Sequence, residues 1–231
     1  MKKVAFVVEG QTEQVFVSEF IGQLVRVQPC HIALKKYQSQ DILTVTKRGV
    51  PEEDATHIIW IINVQGDDTT ISFIEENISA FKSKGFGNIY GLRDHYSGNK
   101  QPINPEAVDK RTNLLTSQHG VAIEVTVAIE EIEAWFLSVP SFFQKYDPSL
   151  TEAKVQEILG VDPTTAQVES IPHPAAAIDR VLTTVGLRYR KRLGDSYKIS
   201  KELDYMTLYL DRTQKLQSLG RFVGHLTSAL P

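Results

Sequence analysis

HIIWIINV, residues 57–64, decides the fold. Six of its eight residues are apolar and four of them are isoleucine. The run is too short for a buried helix and is rich in β-branched side chains, so it reads as a central strand covered on both faces. Upstream, KVAFVV (3–8) has the same character and ends at Glu9-Gly10-Gln11. Gly10 can take a backbone shape closed to other residues, and Thr12 can cap a helix that begins at Glu13. Val15, Phe16, Phe20, Ile21 and Leu24 then recur at helical spacing. A further strand is expected at His31–Lys36. Residues 37–54, polar with Lys47, Arg48, Gly49 and Pro51, read as a loop. Downstream, Gln65-Gly66-Asp67-Asp68 leads into a helix over 71–84 that Gly85 stops, and NIYGL (88–92) is the next strand. This alternation predicts an α/β fold, a mostly parallel sheet flanked by helices on both faces.

The polar stretch 97–120 contains a short helix, EAVDKRTNLL. Residues 121–130 alternate with period two, Val121, Ile123, Val125, Val127 and Ile129 facing one way, which is a strand with one more polar face. EIEAWFLS (131–138) switches to helical spacing. Beyond Pro140 the composition turns helical. The expected organisation is an α/β core over 1–140 with a mostly helical extension, 141–231, packed on it.

With 231 residues, 42% hydrophobic content and a net charge of −3, the chain reads as an ordinary globular protein. So mild a charge neither requires nor excludes nucleic acid. The single cysteine, Cys30, excludes an intrachain disulfide and a cysteine-rich zinc site. The opening MKKVAFVVEG starts like a signal peptide, but its apolar part ends at Glu9 and reads better as a strand. No apolar run approaches the roughly 18 residues that span a bilayer. A cytoplasmic protein without a membrane partner is the expectation.

Glu9, Asp94 and Glu133 lie at or just past the ends of three strand-like runs. In an open α/β sheet the carboxyl ends of the strands are where ligands collect. Acids brought together there repel one another unless a cation offsets them, and a hard divalent ion, Mg²⁺ or Mn²⁺, suits oxygen ligands. Glu130 lies on the more polar strand face, Glu131 points about 100° away from it on a helix, and Glu133 can share its side. Asp67 and Asp68 end the neighbouring strand. The bland alternative is that Glu13, Glu131 and Glu133 only complement a helix dipole. If the acids do cluster, deleting Glu9 or Asp94 should leave the metal-free protein at least as stable, because repulsion is relieved.

Residues 180–201 hold Arg180, Arg188, Arg190, Lys191, Arg192, Lys198 and Lys201 against one acid, Asp195, with Tyr189 and Tyr197 interleaved. Such a patch suits a polyanion held over an acidic metal site, or is simply a solvated helix face. Arg93 and His95 flank Asp94 and could touch a phosphate or orient a water. Trp60 and Trp135 lie in apolar runs and read as core.

VEGQTE (8–13), GLRDHYS (91–97) and IEEIEAWFLS (129–138), with YKISKEL (197–203) and RFVGHL (221–226), resemble a Toprim-like family of bacterial proteins, the DUF4276 group. The resemblance covers nearly the whole chain. It implies a Rossmann-like Toprim fold, distantly similar to the OLD-type nucleases, and Mg²⁺-type metals bound by acidic residues. By the same resemblance Glu9 is the first-motif glutamate and Asp94 the first aspartate of an Asp-x-Asp motif. Tyr96 stands where the second aspartate would be. That leaves Glu133, with Glu130 or Glu131, to complete the site, and Asp67 or Asp68 as substitutes. Lys198 matches a lysine of the C-terminal pattern and so joins Arg93, His95 and Arg190 as a phosphate contact. Relatives of this kind work beside an ATPase in anti-phage or DNA-maintenance systems, which implies a partner ATPase. The leading expectation is a metal-dependent nuclease or related phosphodiester-processing enzyme. The alternatives are a catalytically reduced regulatory or interaction subunit, and a metal-dependent phosphatase or nucleotide hydrolase.

Overall fold

The computed structural model describes residues 1–24, 29–66, 69–95 and 102–230. Asp67, Asp68 and Tyr96, all named above, lie outside the described residues.

Six strands form one sheet: β1 (Lys2–Val8), β2 (Cys30–Gln38), β3 (Asp41–Gly49), β4 (His57–Asn63), β5 (Asn88–Asp94) and β6 (Ala122–Ala128). Their order is β3-β2-β4-β1-β5-β6, and every pairing is parallel except β2 with β3. The HIIWIINV strand, β4, is central and buried on both faces, with only Trp60 partly exposed. The reading of 37–54 as a loop is corrected: 41–49 form an exposed antiparallel strand at the sheet edge. Exposed on that edge, it mixes Ile42, Leu43 and Val45 with threonine, lysine and arginine, which obscures a strand pattern. The helix expected at 106–115 extends over Pro105–His119, starting at an Asn104 cap and ending at Gly120.

Helices cover both faces, as period-two alternation requires. On one face Ala5, Val7, Ile62, Ile89, Ile123 and Val125 pack under α2 (Thr69–Ser83) and α3 (Pro105–His119). Gly85, at φ +82°, ends α2. On the other face Phe6, Val8, Ile59, Ile61 and Leu92 meet α1 (Gln11–Leu24), α4 (Glu133–Leu137) and the helices that follow. Those are α5 (Glu152–Leu159), α6 (Pro174–Thr183), α7 (Leu193–Glu202), α8 (Tyr205–Leu210) and α9 (Gln217–Ala229). Leu219, Phe222 and Leu226 of α9 share one apolar cluster with Phe16 and Phe20 of α1 and with Trp135. Trp135 is fully buried. Among the described residues no helix is long and apolar enough to cross a membrane.

The order of strands places the site. β1, β5 and β6 are adjacent and run the same way, so their carboxyl ends lie side by side, with Val8 paired to Leu92 and Asp94 to Ala128. The segments leaving these ends carry Glu9, Asp94 and Glu131–Glu133.

Candidate metal centre

Asp94, Glu131 and Glu133 come together: each offers an oxygen, and these oxygens lie within 4.8 Å of one another. Asp94 is the last residue of β5. Glu131 follows the turn after β6, and Glu133 opens α4, whose Trp135 and Phe136 anchor it in the core. Glu133 is completely buried and Asp94 nearly so.

The two oxygens of each carboxylate face different partners. Asp94 Oδ1 accepts from the Ile132 backbone N–H at 2.8 Å, Glu131 Oε2 from the Ala175 N–H at 2.8 Å, and Glu133 Oε1 from the Tyr189 hydroxyl at 2.8 Å. The second oxygen of each turns to one point, and that point holds the Lys191 ammonium. Lys191 Nζ is 3.2 Å from Asp94 Oδ2, 3.3 Å from Glu131 Oε1 and 3.1 Å from Glu133 Oε2. The ammonium supplies the positive charge at that point, and an all-oxygen donor set of this kind is compatible with a hard divalent ion. The fit is sharpest at Glu133 Oε2, which is buried and receives no directed hydrogen bond despite its ion contact.

Glu9 stands beside this set. Its Oε2 accepts from the Asp94 backbone N–H at 3.2 Å and lies 3.9 Å from Nε of the buried Arg93. Its own N–H donates to Leu92 O at 3.3 Å, which extends the β1–β5 pairing by one residue. Glu130 is half-buried at φ +60° and outside the converging set, while Glu131, the weaker candidate by helical angle, is inside it. The chain from 129 to 132 is not helical, so the 100° spacing does not apply there. His95 is half-buried, and its backbone bonds to Ala128 O and Ile103 N. Arg190 is exposed, with its N–H donating to Asp195. Lys198 is exposed and lines a small cavity of about 150 Å³ with Arg188, Tyr189 and Asp195.

Several residues have roles here that the sequence pattern does not show. Glu13, which lies in the first turn of α1, is buried, and the charge of Glu133 reaches it. Gly10 does not adopt a positive φ. It leaves room instead: a Cβ there would sit 2.7 Å from Glu13 Oε2. Thr12 is inside α1, not its cap, and its Oγ1 meets Ser196 Oγ of α7 at 2.8 Å. Lys191 and Tyr189 were visible only as members of a basic stretch. The stretch folds part of itself inward, because Lys191 offsets acids that would otherwise be buried together uncompensated.

Burial pushes the Asp94 and Glu133 carboxyls up to about 7, while Lys191 pulls against the rise. Burial also raises Glu13. Burial alone would lower Lys191, but Glu133, Asp94, Glu13 and Glu131 outweigh it and hold the ammonium charged well above its usual range. Burial likewise raises the Tyr189 hydroxyl, so it remains a donor. These carboxyls bind protons more tightly folded than unfolded, where they titrate near ~4. Between those limits the folded state holds the extra protons, so their contribution to stability falls as pH rises. In chelator, the melting temperature is expected to drop from pH 5 to pH 8, and to drop less in Glu133→Gln. Thermal melts of both proteins check this, and identical pH profiles would contradict it.

The partners of Asp94 work against the expectation that the metal-free protein without it is at least as stable. Asp94→Ala leaves the buried Ile132 N–H and Lys191 each short of an acceptor, a loss of about 1–3 kcal/mol for an unsatisfied buried group. Urea melts in chelator measure it, and an unchanged midpoint would contradict it.

No family model matches the chain, and no curated protein matches it. Among solved structures, the C-terminal region of the Burkholderia pseudomallei OLD protein is similar over 100% of both chains, at 11% identity and a TM-score of 0.49. This is a distant structural likeness. The α/β sheet presents a clustered acidic triad compatible with a divalent cation.

Proposed function

We propose that this chain is a Mg²⁺- or Mn²⁺-dependent phosphodiester hydrolase acting on nucleic acid. The observation that carries the reading is the convergence of Asp94 Oδ2, Glu131 Oε1 and Glu133 Oε2 on one point already occupied by a positive charge. In this reading Asp94, Glu131 and Glu133 hold the cation. A divalent ion bound there polarises a phosphoryl oxygen and lowers the pKa of its water. The chain's own groups supply the rest. Glu9 fixes the backbone of Asp94, Tyr189 orients Glu133, and the Ala175 N–H at the start of α6 orients Glu131. Such outer partners hold ligand oxygens in place. Arg93, His95, Arg190 and Lys198 are proposed phosphate contacts. The likeness of VEGQTE and IEEIEAW to the Toprim-like DUF4276 group supports the same chemistry and an ATPase partner, and the composition change beyond Pro140 supports a core over 1–140.

Cleavage of DNA and RNA is expected with Mn²⁺ or Mg²⁺ and not in chelator, and the Glu9→Ala and Asp94→Ala proteins should lose it while keeping their circular dichroism. Full cleavage by Asp94→Ala would overturn the assignment. One observation favours a second reading. Lys191 already neutralises the acids, so the chain could be a regulatory subunit whose lysine permanently replaces the metal. Folded protein that binds no divalent ion and cleaves nothing would select that reading.

A further inference from the structure

Lys191 does not sit on the scaffold that carries its partners. Asp94, Glu131 and Glu133 project from strand ends and the start of α4. Lys191 comes from the non-helical connection between α6 and α7. Its backbone is at φ +52°, a left-handed conformation that side chains disfavour. Its ammonium lies 3.1–3.3 Å from all three carboxylates, yet 34% of its side chain is exposed. Tyr189, two residues earlier on the same segment, holds the other oxygen of Glu133. The acids project from strand ends and the start of α4, while the cation among them projects from the α6–α7 connection.

An ammonium and a divalent ion cannot share that point. Both would lie within about 3 Å of the same oxygens, and two cations so close repel strongly in a site with little water. Glu133 Oε2 also shows that the ammonium is an imperfect occupant, since that buried oxygen gets charge but no directed hydrogen bond. The full complement of oxygens is served better by an ion that binds from every direction.

We propose that Lys191 is a built-in exchangeable counterion: its ammonium fills the metal position in the metal-free protein and must swing out of the acidic cluster for a divalent cation to enter. The inference rests on the metal reading above and adds to it a competition inside the chain. Metal affinity is thereby reduced by the fraction of molecules in which Lys191 is already out. The Lys191 side chain changes position when metal binds, while Tyr189 keeps its hydrogen bond to Glu133 Oε1. Metal loading would in this way free one ammonium, that of Lys191, beside the site where an anionic substrate meets the cation.

The test uses the full chain with Mn²⁺ alone as the probe. Free Mn²⁺ is measured by electron paramagnetic resonance during titration of the wild type and of Lys191→Met. Lys191→Met is expected to bind Mn²⁺ about tenfold tighter or more, because the competing charge is gone. In the wild type, acetylation of Lys191 followed by mass spectrometry should rise severalfold at saturating Mn²⁺, while the exposed Lys110 is labelled equally with and without metal. Wild type that binds Mn²⁺ as tightly as Lys191→Met, or shows unchanged Lys191 labelling at saturation, overturns the exchange and leaves the metal reading standing. Absence of Mn²⁺ binding to both proteins overturns the exchange and the metal reading together. If Lys191→Met does not fold without metal, the labelling result in the wild type decides alone.

Discussion

Glu133→Ala is expected to lose Mn²⁺ binding and to lower metal-dependent cleavage by about a thousandfold or more, since a bound cation supplies several kcal/mol of transition-state stabilisation. Glu133 is the acid with the least solvent, at 0% exposure. Its Oε1 takes the Tyr189 hydroxyl and its Oε2 faces the position of the cation, so no other described side chain duplicates it. Glu133→Gln separates charge from shape. The amide can keep the contact with Tyr189 but cannot offer two anionic oxygens, so it too should fail to hold Mn²⁺ while folding like the wild type. Titration with Mn²⁺ and a single-turnover cleavage assay would measure both effects. Cleavage within about tenfold of the wild type in either variant would remove Glu133 from the site.

Phe16→Ala is expected to cost about 3–5 kcal/mol of stability, the usual range for deleting a buried phenylalanine. Phe16 is fully buried in α1, and its ring centroid lies 5.4–6.0 Å from those of Phe20, Trp135, Phe136, Tyr205 and Phe222. Those rings come from α1, α4, α8 and α9, so the cavity would touch four helices at once. The loss should also reach the metal centre. Glu13 lies three residues before Phe16, and Glu133 lies two before Trp135, so both acids are positioned by this cluster. Phe16→Leu should recover most of the stability. Urea unfolding of the three proteins tests this, and a loss below about 1 kcal/mol for Phe16→Ala would mean that the cluster repacks.

Legibility followed the periodicity of each segment. β1, β4, β5 and β6 were readable because buried strands concentrate apolar residues or alternate them. β3 was not, because DILTVTKRG is exposed on an edge and carries threonine, lysine and arginine in a mix that also suits a loop. In the site, Glu9 and Asp94 were legible as acids at strand ends, and Glu133 as an acid opening a helix. The burial of Glu13 was not legible, because an acid in the first turn of a helix already has a sufficient reason in the dipole. Gly10 was assigned backbone freedom when its contribution is empty space beside Glu13.

By itself the sequence determined that this chain builds a mostly parallel α/β sheet and delivers acids to the carboxyl ends of its strands. Both are consequences of local pattern, since strand period, helix period and the residue that follows each run are written within a dozen positions. Only the tertiary structure decided which acids meet and what neutralises them. Glu131 entered the set and Glu130 stayed outside it because the non-helical turn after β6 aims them apart. Lys191 reached the centre from 97 positions beyond Asp94. A charge that far along the chain is chosen by the electrostatic cost of burying carboxylates together, a cost that arises only after the sheet has brought them side by side.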